Sequence, residues 1–301
     1  MLTIVQAALE AGFLYAPIAL ALFLSFSILN IADMTTDGAF TLGCAVSATI
    51  AVAGHPLLAL PAAMLAGACA GFITAFLQTK LAVPSILAGI VTNIGLYSIN
   101  LMVMGKSNQS LFQTDTIYTM AKDAGFAGSW YELAVTAIIV LALCALLVLF
   151  LGTRLGLSIR ATGDNADMVR ASSINPNFTI TVGLCVANAM TGLSGAMVAQ
   201  YSTFADVNSG TGMVVLALAA LVIGETLIGK GSMTRRVLGV VAGSIIYRFI
   251  YAAALRFNVP ADYMKLVSAV IVGVAIAAPA VRRWAAFQMQ KRRALAGRRG
   301  E

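Results

Sequence analysis

Long apolar runs separated by short polar stretches dominate the chain. The run from Leu133 to Leu151 contains no charged residue. A stretch of roughly 18 or more apolar residues is long enough to cross the hydrocarbon core of a bilayer as a helix. On that basis the pattern predicts about nine membrane segments, near 8–29, 38–54, 57–78, 85–104, 131–151, 178–202, 212–229, 236–255 and 262–281. Segments two and four are short and flanked by polar residues, so either is a candidate for a broken or re-entrant helix. Such breaks are tolerated where the backbone is buried in protein or lines a cavity. The expected fold is an all-α polytopic membrane protein.

Composition narrows the picture. Of 301 residues, 60% are hydrophobic and only 10% charged, against roughly 25% charged in soluble domains. One membrane domain over 1–281 and a basic tail over 282–301 account for the whole length. Seven basic residues lie between Arg282 and Arg299 and supply the net charge of +7. Directly after a last apolar helix, such a tail marks a cytoplasmic end rather than a nucleic-acid site. With that end inside, the inner loops hold 14 of the 19 basic residues. The outer loops hold Lys106, Lys122, Arg256 and Lys265. This positive-inside bias and an odd number of crossings place the N-terminus outside. The first helix lacks a basic leader region and a clear cleavage site, so it is expected to be retained. The outer loop near 105–130 is large enough to touch another protein.

Cys44, Cys69, Cys144 and Cys185 sit inside apolar runs, and His55 is the one histidine. They read as small buried hydrophobes, with neither a metal site nor a disulfide implied. There is no G-x-x-x-x-G-K-[ST] phosphate loop, no H-E-x-x-H and no G-x-S-x-G. The chain is therefore not expected to be an enzyme, and no cofactor is expected in it.

The inner stretch Leu155 to Asn177 is too long for a simple turn. Gly163 and Pro176 bound a short helix that Asp164 or Asn165 is placed to cap. Its apolar face would lie on lipid or dock in a groove of a soluble partner. The mixed charge of Arg160, Asp164, Asp167 and Arg170 favours the partner. Polar residues inside the spans are candidates for a solute pathway, because they are costly in lipid. Asn188 and Thr191 share one face of segment six, and Asn93 and Asn100 one face of segment four. Helix packing explains them equally well. Gln200, Tyr201, Asp206 and Asn208 lie at the outer end of segment six. Asp33 and Asp37 flank a turn-like ADMTTDG between segments one and two. As a pair they suggest a polar break lining the route, whereas Asp37 alone reads as a helix cap. Glu225 is the one acid well inside a predicted span. Arg248, within segment eight, needs a partner, and the lean of helical side chains points to a structural pair with Glu225.

Several runs carry a family resemblance. RATGDN from Arg160 to Asn165, Met168 three residues on, and Ile174–Asn175 resemble the coupling segment of importer permeases in the branched-chain amino acid and ribose superfamily. Asn188 to Val215, Leu218 to Gly229, Ala32 to Gly43, Leu87 to Asn108 and Gly243 to Arg248 are similar to permeases of tryptophan/tyrosine-type importers. The resemblance covers nearly the whole chain, in order. It implies the permease subunit of an ATP-binding-cassette importer in a bacterial inner membrane. It further implies a homodimer, two cytoplasmic ATPase subunits that bind ATP and Mg, and an outer solute-binding protein that delivers a small solute. An amino acid, aromatic in character, is the expected solute. Arg160, Gly163, Asp164, Asn165, Met168, Arg170, Ile174 and Asn175 would then couple the ATPase to the membrane. The competing reading is a secondary transporter driven by an ion gradient, which would need membrane carboxylates and often shows an inverted repeat.

Overall fold

The computed structural model describes residues 2–256, except 124, 126, 127, 129 and 230, and isolated positions between 263 and 277. The predicted ninth segment and the basic tail lie, those isolated positions apart, outside the described residues.

Helices occupy the other eight predicted positions. Segment one comprises α1 (Leu2–Leu14), α2 (Ala16–Leu22) and a π-helical turn, Phe23–Ile28. The remaining spans are α3 (Thr36–Val52), α4 (Pro56–Thr79), α5 (Ser85–Met104), α7 (Tyr131–Gly152), α10 (Pro176–Ser202), α11 (Met213–Ile228) and α12 (Met233–Arg256), with short α6 (Ile117–Asp123), α8 (Arg154–Asp164) and α9 (Ala166–Ala171) between them. Six of these units are long and apolar enough to cross a membrane, while α3 and α11 are shorter. Their outward faces are apolar, with Leu57, Leu65, Met102, Leu146 and Leu149 all more than 60% exposed. In water that surface would be untenable; in lipid it is the solvated face.

The break falls in segment one, not in segments two or four. Segment four is the continuous helix α5. In segment one the ladder widens to π spacing, Leu29 N–H donates to the Leu24 carbonyl at 3.0 Å, and Asn30 turns to a φ of 56°. Asparagine accepts that left-handed conformation more readily than other non-glycine residues. The chain then runs without regular structure to Thr35, with Asp33 and Thr35 buried and Asn30 and Met34 exposed.

α10 is the central element, buried along most of its length between α3, α4 and α2. It can be so central because its neighbours approach to backbone contact. A Cβ on Gly192 would strike the Ala63 carbonyl of α4, and one on Gly43 would strike Gly192 itself. Small residues permit this closeness, and dispersion and interhelical hydrogen bonds reward it. Anchor contacts fix relative directions. Pro56 meets Gln200 while Gly71 meets Leu184, so α4 and α10 are antiparallel. Phe40 and Ser47 meet Gly195 and Ala196–Gln200, so α3 runs with α10. Beyond α5 and α10, β1 (Asn108–Ser110) and β2 (Phe204–Asp206) form an antiparallel pair, with Gln109 opposite Ala205. The opposite end of the bundle carries α8 and α9.

Candidate functional site

Polar groups concentrate in three places. The first is a closed centre around the break. Asp33 is 3% exposed; its carboxylate accepts from Asn188 Nδ2 at 2.7 Å and from the Thr35 N–H at 2.9 Å. Asn188 also donates to the Leu184 carbonyl, and the hydroxyls of Thr35 and Thr74 meet at 2.6 Å. The break in segment one, α4 and α10 are thus pinned together by hydrogen bonds that a lipid-facing backbone lacks. Thr191 is equally buried and donates to its own helix at the Ala187 carbonyl. Asn188 and Thr191 thus bond within the helix bundle and do not line the open cavity between α3 and α5, and the Asn188 Oδ1 is buried without a donor among the described residues.

The second is open. A cavity of about 410 Å³ lies between α3, α5 and the loop before α11. Asp37, Asn93, Asn100 and Asn208 line it, with Thr41, Ile94, Tyr97, Ser98 and Thr211. Asp37 does more than start its own helix. Its two carboxylate oxygens accept from the Gly212 and Val214 N–H groups at 3.0 and 2.9 Å, so it caps α11. Asn100 donates from Nδ2 to the Gly38 carbonyl at 3.2 Å. Four of the ten sequence-predicted pathway residues meet here. Of the others, Gln200 is used up by Ile117 N–H, Ser47 and Pro56. Tyr201 donates to Glu10 at 2.7 Å, and Asp206 accepts from the Asn208 N–H beside the strand pair. Glu10, 3% exposed in α1, is an acid the span-by-span reading passed over.

The third is the α8–α9 elbow. Asn165 is the N-cap of α9, accepting from the N–H groups of Asp167 and Met168 at 3.0 Å each. Asn175 caps α10 in the same way through Asn177 N–H. In α9 only Val169 is buried, and Met168 is 63% exposed. Arg160 is half-buried, Asp164 exposed and Ile174 half-buried. Arg170 and Asp167 lie 3.4 Å apart on the exposed side. The root of the elbow is fixed instead. Thr162 and Thr179 hydroxyls meet at 2.7 Å, and Gly163 lies so close to the Ile28 carbonyl that a Cβ would collide with it. The elbow thus touches the end of the π turn.

The expected Arg248–Glu225 pair does not form. Glu225 binds Arg236 at 2.7 Å, and Ser27 of the π turn bonds to both. Arg236 also lies over the Phe23 ring, 4.9 Å from its centroid. It stands on the first turn of α12, whereas Arg248 is about 18 Å further along the helix at 1.5 Å per residue. Arg248 packs differently, with its guanidinium 3.7 Å from the Tyr15 ring centroid and 5.5 Å from that of Tyr251, while its Nε is buried without an acceptor among the described residues. Arg236, at the start of predicted segment eight, is a residue that the sequence reading did not single out. Its position just inside an apolar helix was the available signal. Tyr97, Ser98 and Thr211 were missed as well, although Tyr97 and Ser98 fall between the two asparagines singled out on α5.

Comparison with known proteins agrees with this architecture. Residues 4–276 match the family described as branched-chain amino acid transport system, permease component. The tyrosine transport system permease protein of Clostridioides difficile is 34% identical over 255 residues, 84% of each chain. The ribose import permease protein RbsC of Escherichia coli K12 is 27% identical over 251 residues, 81% of this chain and 75% of that one. The autoinducer 2 import system permease protein LsrC of Yersinia pestis is 26% identical over 256 residues, 82% of this chain and 68% of that one. No solved structure gives a significant match. Match length, helical architecture and apolar outer faces agree: the chain belongs to the branched-chain amino acid transport system permease family, as a multi-pass inner-membrane permease component of an ABC transporter.

Proposed function

We propose that this chain forms the solute pathway of an ATP-driven amino acid importer, with an aromatic amino acid as its solute. The observation that carries the reading is the elbow, a capped helix in which only Val169 is buried while its root is wedged against the broken segment one. A free surface helix has no need of such a root, whereas a helix that receives force from a partner does. The partner in this reading is a cytoplasmic ATPase that binds ATP and Mg, present in two copies beneath a homodimer of this chain. The segment 155–177 docks on it. The end bearing β1, β2 and α6 faces outward and receives a solute-binding protein, with the N-terminus also outside and the C-terminal tail inside. The similarity to a tyrosine transport permease supports an amino acid as the solute. A permease component of a transport system fits a multi-subunit machine better than a self-contained ion-coupled carrier.

The test is reconstitution with the cognate ATPase and binding protein in liposomes. Changing Asp164 and Arg170 together should lower uptake at least tenfold while ATP hydrolysis and membrane insertion persist; normal transport would refute the docking assignment. Cysteines at Ser110 and Asn208, both exposed, should react with a membrane-impermeant maleimide from outside intact cells. Reaction only after lysis would invert the topology.

A further inference from the structure

The open cavity has a chemistry of its own. Asn100 is 1% exposed, and its amide is oriented by the bond from Nδ2 to the Gly38 carbonyl. A carbonyl only accepts, so the atom facing it is nitrogen and the other is the oxygen. That Oδ1 is buried, and no donor of the described chain reaches it. Buried polar atoms are nearly always paired, and an exception calls for a cause. Asn100 lines the cavity, so a donor supplied by a ligand there would pair it.

The charge of the walls is also one-sided. Among the lining residues there is no Lys, Arg or His, and the single ionisable carboxylate is Asp37. Asp37 already receives two N–H groups at the start of α11. A helix N-terminus counts for roughly half a positive charge, so it offsets the carboxylate only in part. Each carboxylate oxygen also keeps a further acceptor position. Beside these acceptors stand Ile94, 67% exposed, and Tyr97, 51% exposed, which give apolar and aromatic wall. The volume of about 410 Å³ falls within the range of roughly 300–1,000 Å³ typical of small-molecule sites.

We infer that this cavity is an ammonium-reading station, in which Asn100 Oδ1 and the Asp37 carboxylate accept from the protonated amine of an amino acid while Tyr97 and Ile94 flank its side chain. This rests on the importer reading and adds to it a site and a rule of selection. Hydroxyl donors would also suit Asn100, but the Asp37 charge favours a cation over a neutral donor.

Tyramine, L-tyrosine and 3-(4-hydroxyphenyl)propionate serve as probes, since the last keeps the ring and carboxylate but lacks the amine. The full chain carrying Ser98→Cys is placed in nanodiscs, with no ATPase or binding protein present. Maleimide labelling at position 98 is measured relative to the parent chain. Tyramine and tyrosine should slow labelling at least fivefold at millimolar concentration, and the propionate should not. A second chain adding Asn100→Leu should lose most of that protection, provided its melting temperature is unchanged. Equal protection by the propionate, protection by ribose at the same concentration, or no protection by the amines would each overturn the inference. If the double variant is unstable, the probe series on Ser98→Cys alone decides the matter. Failure of ATP-driven uptake in the reconstituted complex would instead count against the importer reading, so the two are separable.

Discussion

Asp33 and Asp37 stand four residues apart, one before and one within the first turn of α3, yet they belong to different environments. Asp33 is enclosed, with its carboxylate engaged by Asn188 and Thr35. Asp37 is half-buried, caps a helix from another part of the chain and also borders a cavity. The difference lies in what covers each one. α10 and α4 close over Asp33, bringing an amide to bond it, and none of the described residues fills the space beside Asp37. Residue type therefore does not decide between pin and pathway; the neighbouring surface does.

Four measurements test that contrast. Asn188→Leu should have the largest effect, because it leaves a buried carboxylate with only the Thr35 N–H, a loss of about 3 kcal/mol. It should appear as a large fall in melting temperature of the detergent-purified chain. Next, the Glu225–Arg236 pair should show a coupling of about 1.5–3 kcal/mol in a double-mutant cycle with Glu225→Gln and Arg236→Met. The parallel cycle with Arg248→Met should be additive to within about 0.5 kcal/mol, as expected of distant sites. Asp37→Ala removes a cap and should cost about 1 kcal/mol. A cost equal to that of Asn188→Leu would erase the distinction between the two acids. Smallest of all, Arg170→Ala should change stability by less than about 0.5 kcal/mol, because its partner Asp167 is solvent-exposed. A larger effect would mean that the elbow is held together by more than its root.

Much of the fold was legible in the chain. Hydrophobic runs locate eight helical units, because membrane spans follow from length and apolarity alone. The Asn165 cap was legible too, since capping is local. The break in segment one was not, because two serines among the apolar residues of FLSFSI do not interrupt the hydrophobic run and π spacing leaves no mark on that pattern. The apolar-to-polar transition at Asn30–Asp33 looked like a surface turn, and only the arrival of Asn188 shows that Asp33 itself is buried. Asn93 and Asn100 could be placed on one face by spacing. The partition between Asn188, which packs, and Asn100, which lines the cavity, depends on which helices cover each one. That information is long-range, as is the Asp37 contact with Gly212, 175 residues away.

The same long range sets a biosynthetic schedule. Asp33 emerges from the ribosome 155 residues ahead of the amide that satisfies it. At roughly 5–20 residues per second, synthesis leaves that carboxylate waiting on the order of 8–30 s. Segment one and α3 thus enter the membrane before their polar junction has a partner, and the nascent bundle stays loosely assembled there until α10 is inserted. A chain terminated before residue 188 never completes the junction, which makes it a natural substrate for membrane quality control.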